Sequence, residues 1–114
     1  MSNGEHLVIQ QGEDVSLFVP TREVTRIGRS RAADLALDDA AVSRRHALLV
    51  RRDGAVHIVD DRSLNGVLVN GVRVSDAALA DGDEIAIGRT RLRYMAAAPA
   101  VLGPPAVDRA LTSA

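Results

Sequence analysis

Ala47-Leu48-Leu49-Val50-Arg51-Arg52-Asp53-Gly54-Ala55-Val56-His57-Ile58-Val59 is the stretch on which the fold turns. Two apolar-rich runs flank Asp53-Gly54, a pair that accepts the positive φ angles a tight hairpin turn demands. Strands are therefore expected over Ala47–Arg52 and Ala55–Val59. The same grammar repeats downstream, where Val67–Val69 and Val72–Val74 flank Asn70-Gly71. Upstream, His6–Gln11 and Val15–Val19 surround Gly12-Glu13-Asp14, and Pro20 closes the second run. Glu23–Ile27 ends at Gly28, and Leu35-Ala36-Leu37 sits between Asp34 and Asp38-Asp39. Glu84–Ile87 follows Asp81-Gly82, and Thr90–Met95 follows Gly88-Arg89. That last run alternates arginines with apolar residues, as a strand with one buried face must.

About ten short strands with turn signals every eight to twelve residues predict an all-β sandwich or barrel. Only Asp76–Ala80 has any helical character, and it is too short to stand alone. From Ala96 the alternation stops. The Ala/Pro-rich segment 96–114 is expected to be a disordered tail or a linker, leaving 1–95 as the folded domain.

Composition narrows the function classes. The 114 residues suit one domain, with 46% hydrophobic and 25% charged residues. Phe18 and Tyr94 are the only aromatics, so the core must be aliphatic. The chain has no cysteine, which removes disulfides and thiolate metal sites. His6 and His57 have no partners at metal-ligand spacing, and no metal or cofactor is expected. A net charge of −1 gives no overall pull toward nucleic acid or anionic membrane. Stacking aromatics for single-stranded nucleic acid are also missing. Met1–His6 is polar and no apolar run reaches membrane-spanning length, so a cytoplasmic protein is expected. Every Lys/Arg position is arginine, the planar fork that binds phosphate through two parallel hydrogen bonds.

Three loop motifs interrupt the strands: Gly28-Arg29, Ser43-Arg44-Arg45-His46 and Ser63-Leu64-Asn65-Gly66. Phosphate needs several donors aimed at one point. Arginine forks, a serine hydroxyl and glycine-relaxed backbone amides meet that need. Ser43 and His46 also suggest a nucleophile and its base. However, no strand–Gly-x-Ser-x-Gly–helix setting exists to hold such a serine. A histidine three residues from a serine is better suited to pinning a loop.

The ordered set Gly28-Arg29, Ser43-Arg44-Arg45-His46 and Asn65-Gly66 resembles the pattern of forkhead-associated (FHA) domains, particularly bacterial, actinobacterial ones. The resemblance spans about residues 6–95 and includes Leu79-Ala80-Asp81-Gly82-Asp83-Glu84-Ile85. It implies a two-sheet sandwich of about eleven strands that binds phosphothreonine peptides through apical loops. By position, it implies that Arg29 and Ser43 contact phosphate, Arg44 adds charge, and Asn65 holds the peptide backbone. Ser63 joins this ligand-binding set, while Gly28, His46 and Gly66 shape the loops. Two departures stand out. Leu64 occupies a position where many members carry threonine, and Val67 replaces a common threonine after Asn-Gly.

The implied partner is a phosphothreonine-containing protein or peptide, a Ser/Thr kinase or its substrate, with no nucleic acid or membrane involved. The alternative is an FHA-fold scaffold or oligomerisation module that binds an unmodified partner. Some small members are switched by threonines in an N-terminal tail. Met1–Glu5 contains none, so that switch is not expected. Thr112 is the one threonine in the expected tail, and extended chain from Tyr94 would span roughly 55 Å. A phosphate there could return to the apical loops.

Overall fold

A computed structural model describes residues 4–97 of the chain. The strands are β1 (His6–Gln11), β2 (Asp14–Phe18), β3 (Val24–Gly28), β4 (Leu35–Ala36), β5 (Ala47–Arg52) and β6 (Ala55–Asp60). They continue as β7 (Val67–Val69), β8 (Val72–Val74), β9 (Asp76–Ala78), β10 (Glu84–Ile87) and β11 (Thr90–Met95). One six-stranded sheet has the order β2-β1-β11-β10-β7-β8, and a five-stranded sheet has the order β4-β3-β5-β6-β9. Pairing is antiparallel except between β3 and β4, where Ile27 lies opposite Leu35.

Both predicted tight turns form as expected. Asp53 and Gly54 have φ of 53° and 79°, and Asn70 and Gly71 have 51° and 84°. Positive φ at both central residues matches the right-handed twist of the flanking strands, and Asp, Asn and Gly tolerate it best.

Alternation sends Leu7, Ile9, Leu92 and Tyr94 inward from one sheet, to meet Ile27, Leu49, Val56 and Ile58 from the other. The core is almost wholly aliphatic. Each such side chain contributes about 1.5–3 kcal/mol on burial, so aromatic bulk is not required. Val67 is fully buried in this cluster, which accounts for an apolar residue directly after Asn65-Gly66.

The segment Asp76–Ala80 corrects the helical expectation. Its first three residues form edge strand β9, with His57, Ile58 and Val59 of β6 opposite Ala78, Ala77 and Asp76. A short piece beside an unfilled sheet edge gains ladder hydrogen bonds that a single helical turn cannot match. Asp76 also accepts from Arg52 Nη2 at 2.8 Å and pairs with His57 Nδ1 at 2.9 Å. No helix among the described residues is long and apolar enough to cross a membrane. The expected tail, with Thr112, lies outside the described residues from position 98 onward.

Candidate functional site

At the end of β3 the loop leading into β5 runs back beside the chain. The His46 amide donates to the Ile27 carbonyl at 3.0 Å, the Arg29 amide to Ser43 at 2.9 Å and the Ser30 amide to Arg44 at 3.2 Å. Gly28 permits this approach. A Cβ at that position would stand 2.1 Å from the Arg44 carbonyl oxygen, far inside contact distance. The glycine is required here by space.

His46 ties in the third loop. It is fully buried, and the Ser43 amide donates to its Nδ1 at 3.0 Å. Nδ1 must therefore be the accepting nitrogen, and the ring proton sits on Nε2, which donates to the Gly66 carbonyl at 2.8 Å. Both ring nitrogens are committed, so neither is available to take a proton from Ser43. The Ser43 hydroxyl instead accepts the Leu64 amide at 3.0 Å. The serine and histidine form a loop brace, not a nucleophile and base.

The same bonds leave particular groups free. Arg29 Nε donates to the Val42 carbonyl at 3.0 Å, anchoring the root of the guanidinium. Its two terminal nitrogens have no partner among the described residues, and Arg29 is exposed. Ser43 accepts through its hydroxyl oxygen but retains an uncommitted proton. Arg44 is exposed and makes no side-chain hydrogen bond or ion pair with another described residue. Asn65 donates from Nδ2 to the Ala41 carbonyl at 2.8 Å, which leaves its Oδ1 open.

Ser63 is placed differently. Its hydroxyl donates to Asp60 Oδ2 at 2.9 Å and accepts the Gly66 amide at 2.9 Å. Asp60 Oδ1 also takes the Ser63 amide at 2.8 Å. These bonds close the turn that presents Leu64 and Asn65. Gly66 completes it at φ 85°, where an added Cβ would also meet Arg73 Nε at 2.6 Å.

Two further residues, Asp39 and Arg62, shape the site from outside the three loop motifs. Asp39 stitches the loop before Ser43 to the β10–β11 turn. It accepts from the Ala41 amide at 2.9 Å and from the Arg89 amide and Thr90 hydroxyl at 2.8 Å each. Burial pushes its carboxyl upward, but these bonds together outweigh that and hold it below the usual aspartate range. Arg62 sits at φ 63°, costly for a residue with a Cβ, and its side chain has no partner among the described residues. Leu64 leaves 83% of its surface exposed beside Ser43. Arg45 reaches Asp61 at 3.2 Å, but with the arginine 76% exposed this ion pair contributes little. At this end of the sandwich Arg29, Arg44 and Arg62 remain unneutralised. The arrangement suits an anion held by forked donors.

Comparison with known proteins bears on the family and the fold. The family model described as "FHA domain" matches residues 25–88. The oxoglutarate dehydrogenase inhibitor of Corynebacterium diphtheriae is 41% identical over 90 residues, covering 78% of this chain and 63% of that protein. The chain thus spans less than two thirds of that relative's length. A solved chain from a study of phosphothreonine-dependent FHA domain interactions has a TM-score of 0.72 and 28% identity, covering 79% of this chain and 95% of that one. Mycobacterium tuberculosis EmbR, solved with a low-affinity phosphopeptide, has a TM-score of 0.76 and 33% identity, covering 83% of this chain and 25% of EmbR.

Proposed function

Because the chain belongs to the FHA domain family, we propose that it is a phosphothreonine-peptide-binding signalling module acting downstream of a Ser/Thr kinase, with no catalysis of its own. One observation carries this reading. An anchored arginine with a free fork and a serine with a free hydroxyl proton stand on backbones joined by the Arg29–Ser43 hydrogen bond of 2.9 Å.

In this reading Arg29 grips two phosphate oxygens, Ser43 donates a third hydrogen bond, and Arg44 supplies charge. A phosphothreonine carries about −1.5 to −2 at neutral pH, so several cationic and neutral donors are needed to replace its water. Asn65 meets the ligand backbone through Oδ1, accepting an N–H and keeping the peptide extended. Ser63 contributes by closing the turn that carries Asn65. Gly28, His46 and Gly66 hold the loops in register and do not touch the ligand. The partner is a kinase, or a kinase substrate, bearing the phosphothreonine. The module works in the cytoplasm, where such kinases act, as an actinobacterial-type member.

Fluorescence anisotropy with matched phosphothreonine, phosphoserine and unmodified peptides tests the proposal. The sequence should come from an oriented phosphothreonine library screened on this domain. The phosphothreonine form should bind best and the phosphoserine form distinctly worse, since it lacks the γ-methyl. Equal affinity for phosphorylated and unmodified forms would refute the reading.

A further inference from the structure

Next to these loops, on the outer side of β3 and β5, lies a groove of about 600 Å³. Val24, Ala33 and Leu48 give it an apolar floor, and Arg26, Arg44 and Arg45 edge it with cations. Asp61 also lines the groove, but its carboxylate is already engaged by Arg45. Arg26 uses its backbone amide to hold Asp34 at 2.9 Å, while its guanidinium has no partner among the described residues. Arg44 is equally free, so the rim carries net positive charge over an aliphatic base.

The groove is continuous with the phosphate-facing loops. Arg44 borders both, and Ser30, another lining residue, follows Arg29 directly and donates its amide to the Arg44 carbonyl. An extended ligand advances about 3.3 Å per residue, so a chain anchored at Arg29 and Ser43 arrives at this rim within a few residues. The volume lies within the roughly 300–1,000 Å³ typical of binding pockets. It offers room for more than one side chain.

We propose that this groove is a second subsite for the same ligand, taking an acidic-aliphatic segment that flanks the phosphothreonine. The proposal rests on the phosphothreonine reading above. Free guanidinium groups at the rim select aspartate or glutamate, and the Val24–Leu48 floor selects an aliphatic neighbour. Alternation along an extended ligand sends adjacent side chains to opposite sides, so residues one apart reach the rim and floor together.

The test uses a short phosphothreonine peptide and two longer versions, extended at the N-terminal or C-terminal end by Glu-Leu-Glu-Leu. Binding is measured on the whole chain by anisotropy or calorimetry. One extension should tighten binding by about tenfold, and raised salt should erode the gain. Arg26→Glu and Leu48→Gln should each abolish that gain and leave short-peptide affinity within about twofold. Arg26→Glu alters an exposed strand position, so it reports even if Leu48→Gln fails to fold. The subsite is refuted if neither extension tightens binding, or if the gain survives Arg26→Glu. Tight binding of the extended peptide without its phosphate would assign the groove to an independent partner and overturn the shared-ligand proposal. Self-association of the wild type, abolished by Arg26→Glu, would assign it to a second copy and overturn it likewise. If the short peptide binds equally with and without phosphate, the functional reading itself fails, and the subsite falls with it.

Discussion

Ser43 donates its backbone proton to Nδ1 of His46 at 3.0 Å, and the opposite side of the same ring gives its proton to the Gly66 carbonyl at 2.8 Å. One buried imidazole thereby sets the distance between the loop bearing Ser43 and the turn bearing Asn65. Replacing His46 with leucine keeps the bulk but strands a donor and an acceptor inside the protein. Each costs about 1–3 kcal/mol, so the variant should lose about 2–6 kcal/mol in urea unfolding. Phosphopeptide affinity should fall as well, although His46 does not reach the ligand. A His46→Leu domain with wild-type stability would show that the ring is not a brace.

Arg29→Ala removes a charged fork that already has its base anchored by Val42. Charge-assisted hydrogen bonds of this kind contribute roughly 1.5–3 kcal/mol, which predicts a loss of about tenfold to a hundredfold or more in affinity. Ser43→Ala should cost less, since one neutral donor is lost, though it also frees the Leu64 amide. Both variants should still melt cooperatively. Anisotropy titration with a melt beside it separates lost contacts from lost fold, and a folded Arg29→Ala domain that binds at full strength contradicts the assignment.

Gly28→Ala should act through crowding. The new methyl would need the Arg44 carbonyl, 2.1 Å from its ideal position, to move away. Overpacking of this sort costs about 1–3 kcal/mol, and here it pushes apart the two segments that carry Arg29 and Ser43. The expected result is a lower melting temperature together with weaker phosphopeptide binding. Unchanged affinity would mean that the loops adapt.

Acid should unfold the domain through a small set of carboxylates. The hydrogen bond from Arg51 draws Glu5 below its ordinary range against the opposing effect of burial. Bonds from the Ala80 amide and the Asn70 side chain do the same for Asp83, and Asp39 is held down as described above. A carboxyl depressed by folding contributes stability that is complete above its unfolded pKa and disappears as pH falls through the folded one. The melting temperature should therefore hold from neutral pH to about 4.5 and fall as the pH drops further. Asp39→Asn should lower it at neutral pH and flatten the acid limb. At the other extreme Tyr94, raised to about 12 by burial and its bond to Glu5, contributes stability that is lost as pH rises above about 10. Melting curves across pH for wild type and Asp39→Asn decide the matter.

Much of this architecture is legible in the amino-acid order. Asp53-Gly54 and Asn70-Gly71 announce their turns because few other pairs accept positive φ twice. Gly28-Arg29, Ser43 to His46 and Asn65-Gly66 identify the loops that converge. What stays hidden depends on contacts between distant segments. Nothing local marks β9, whose conformation is set by an open edge on β6. Nor does local order reveal that Asp39 spans to Thr90, or that Asn65 reaches back to the Ala41 carbonyl. Arg62 is the opposite case, since an arginine gives no sequence signal for the left-handed backbone it adopts. The groove beside β3 combines outward-facing residues of two strands with a loop, so no single stretch encodes it.

The first and last strands lie side by side, with His6 opposite Met95 and Gln10 opposite Arg91. At the far end of this pair, the Gln11 side chain reaches Thr90 and the Asp38 carbonyl, next to the apical loops. Entry and exit of the described fold are therefore neighbours, and both lie at the opposite end of this pair from the loop that carries Asp38. Such a unit can be spliced into a longer polypeptide like a cassette. Flanking chain can be attached at this base without crossing the loops that carry Arg29 and Ser43, and a pull on both attachments would load β1 and β11 first.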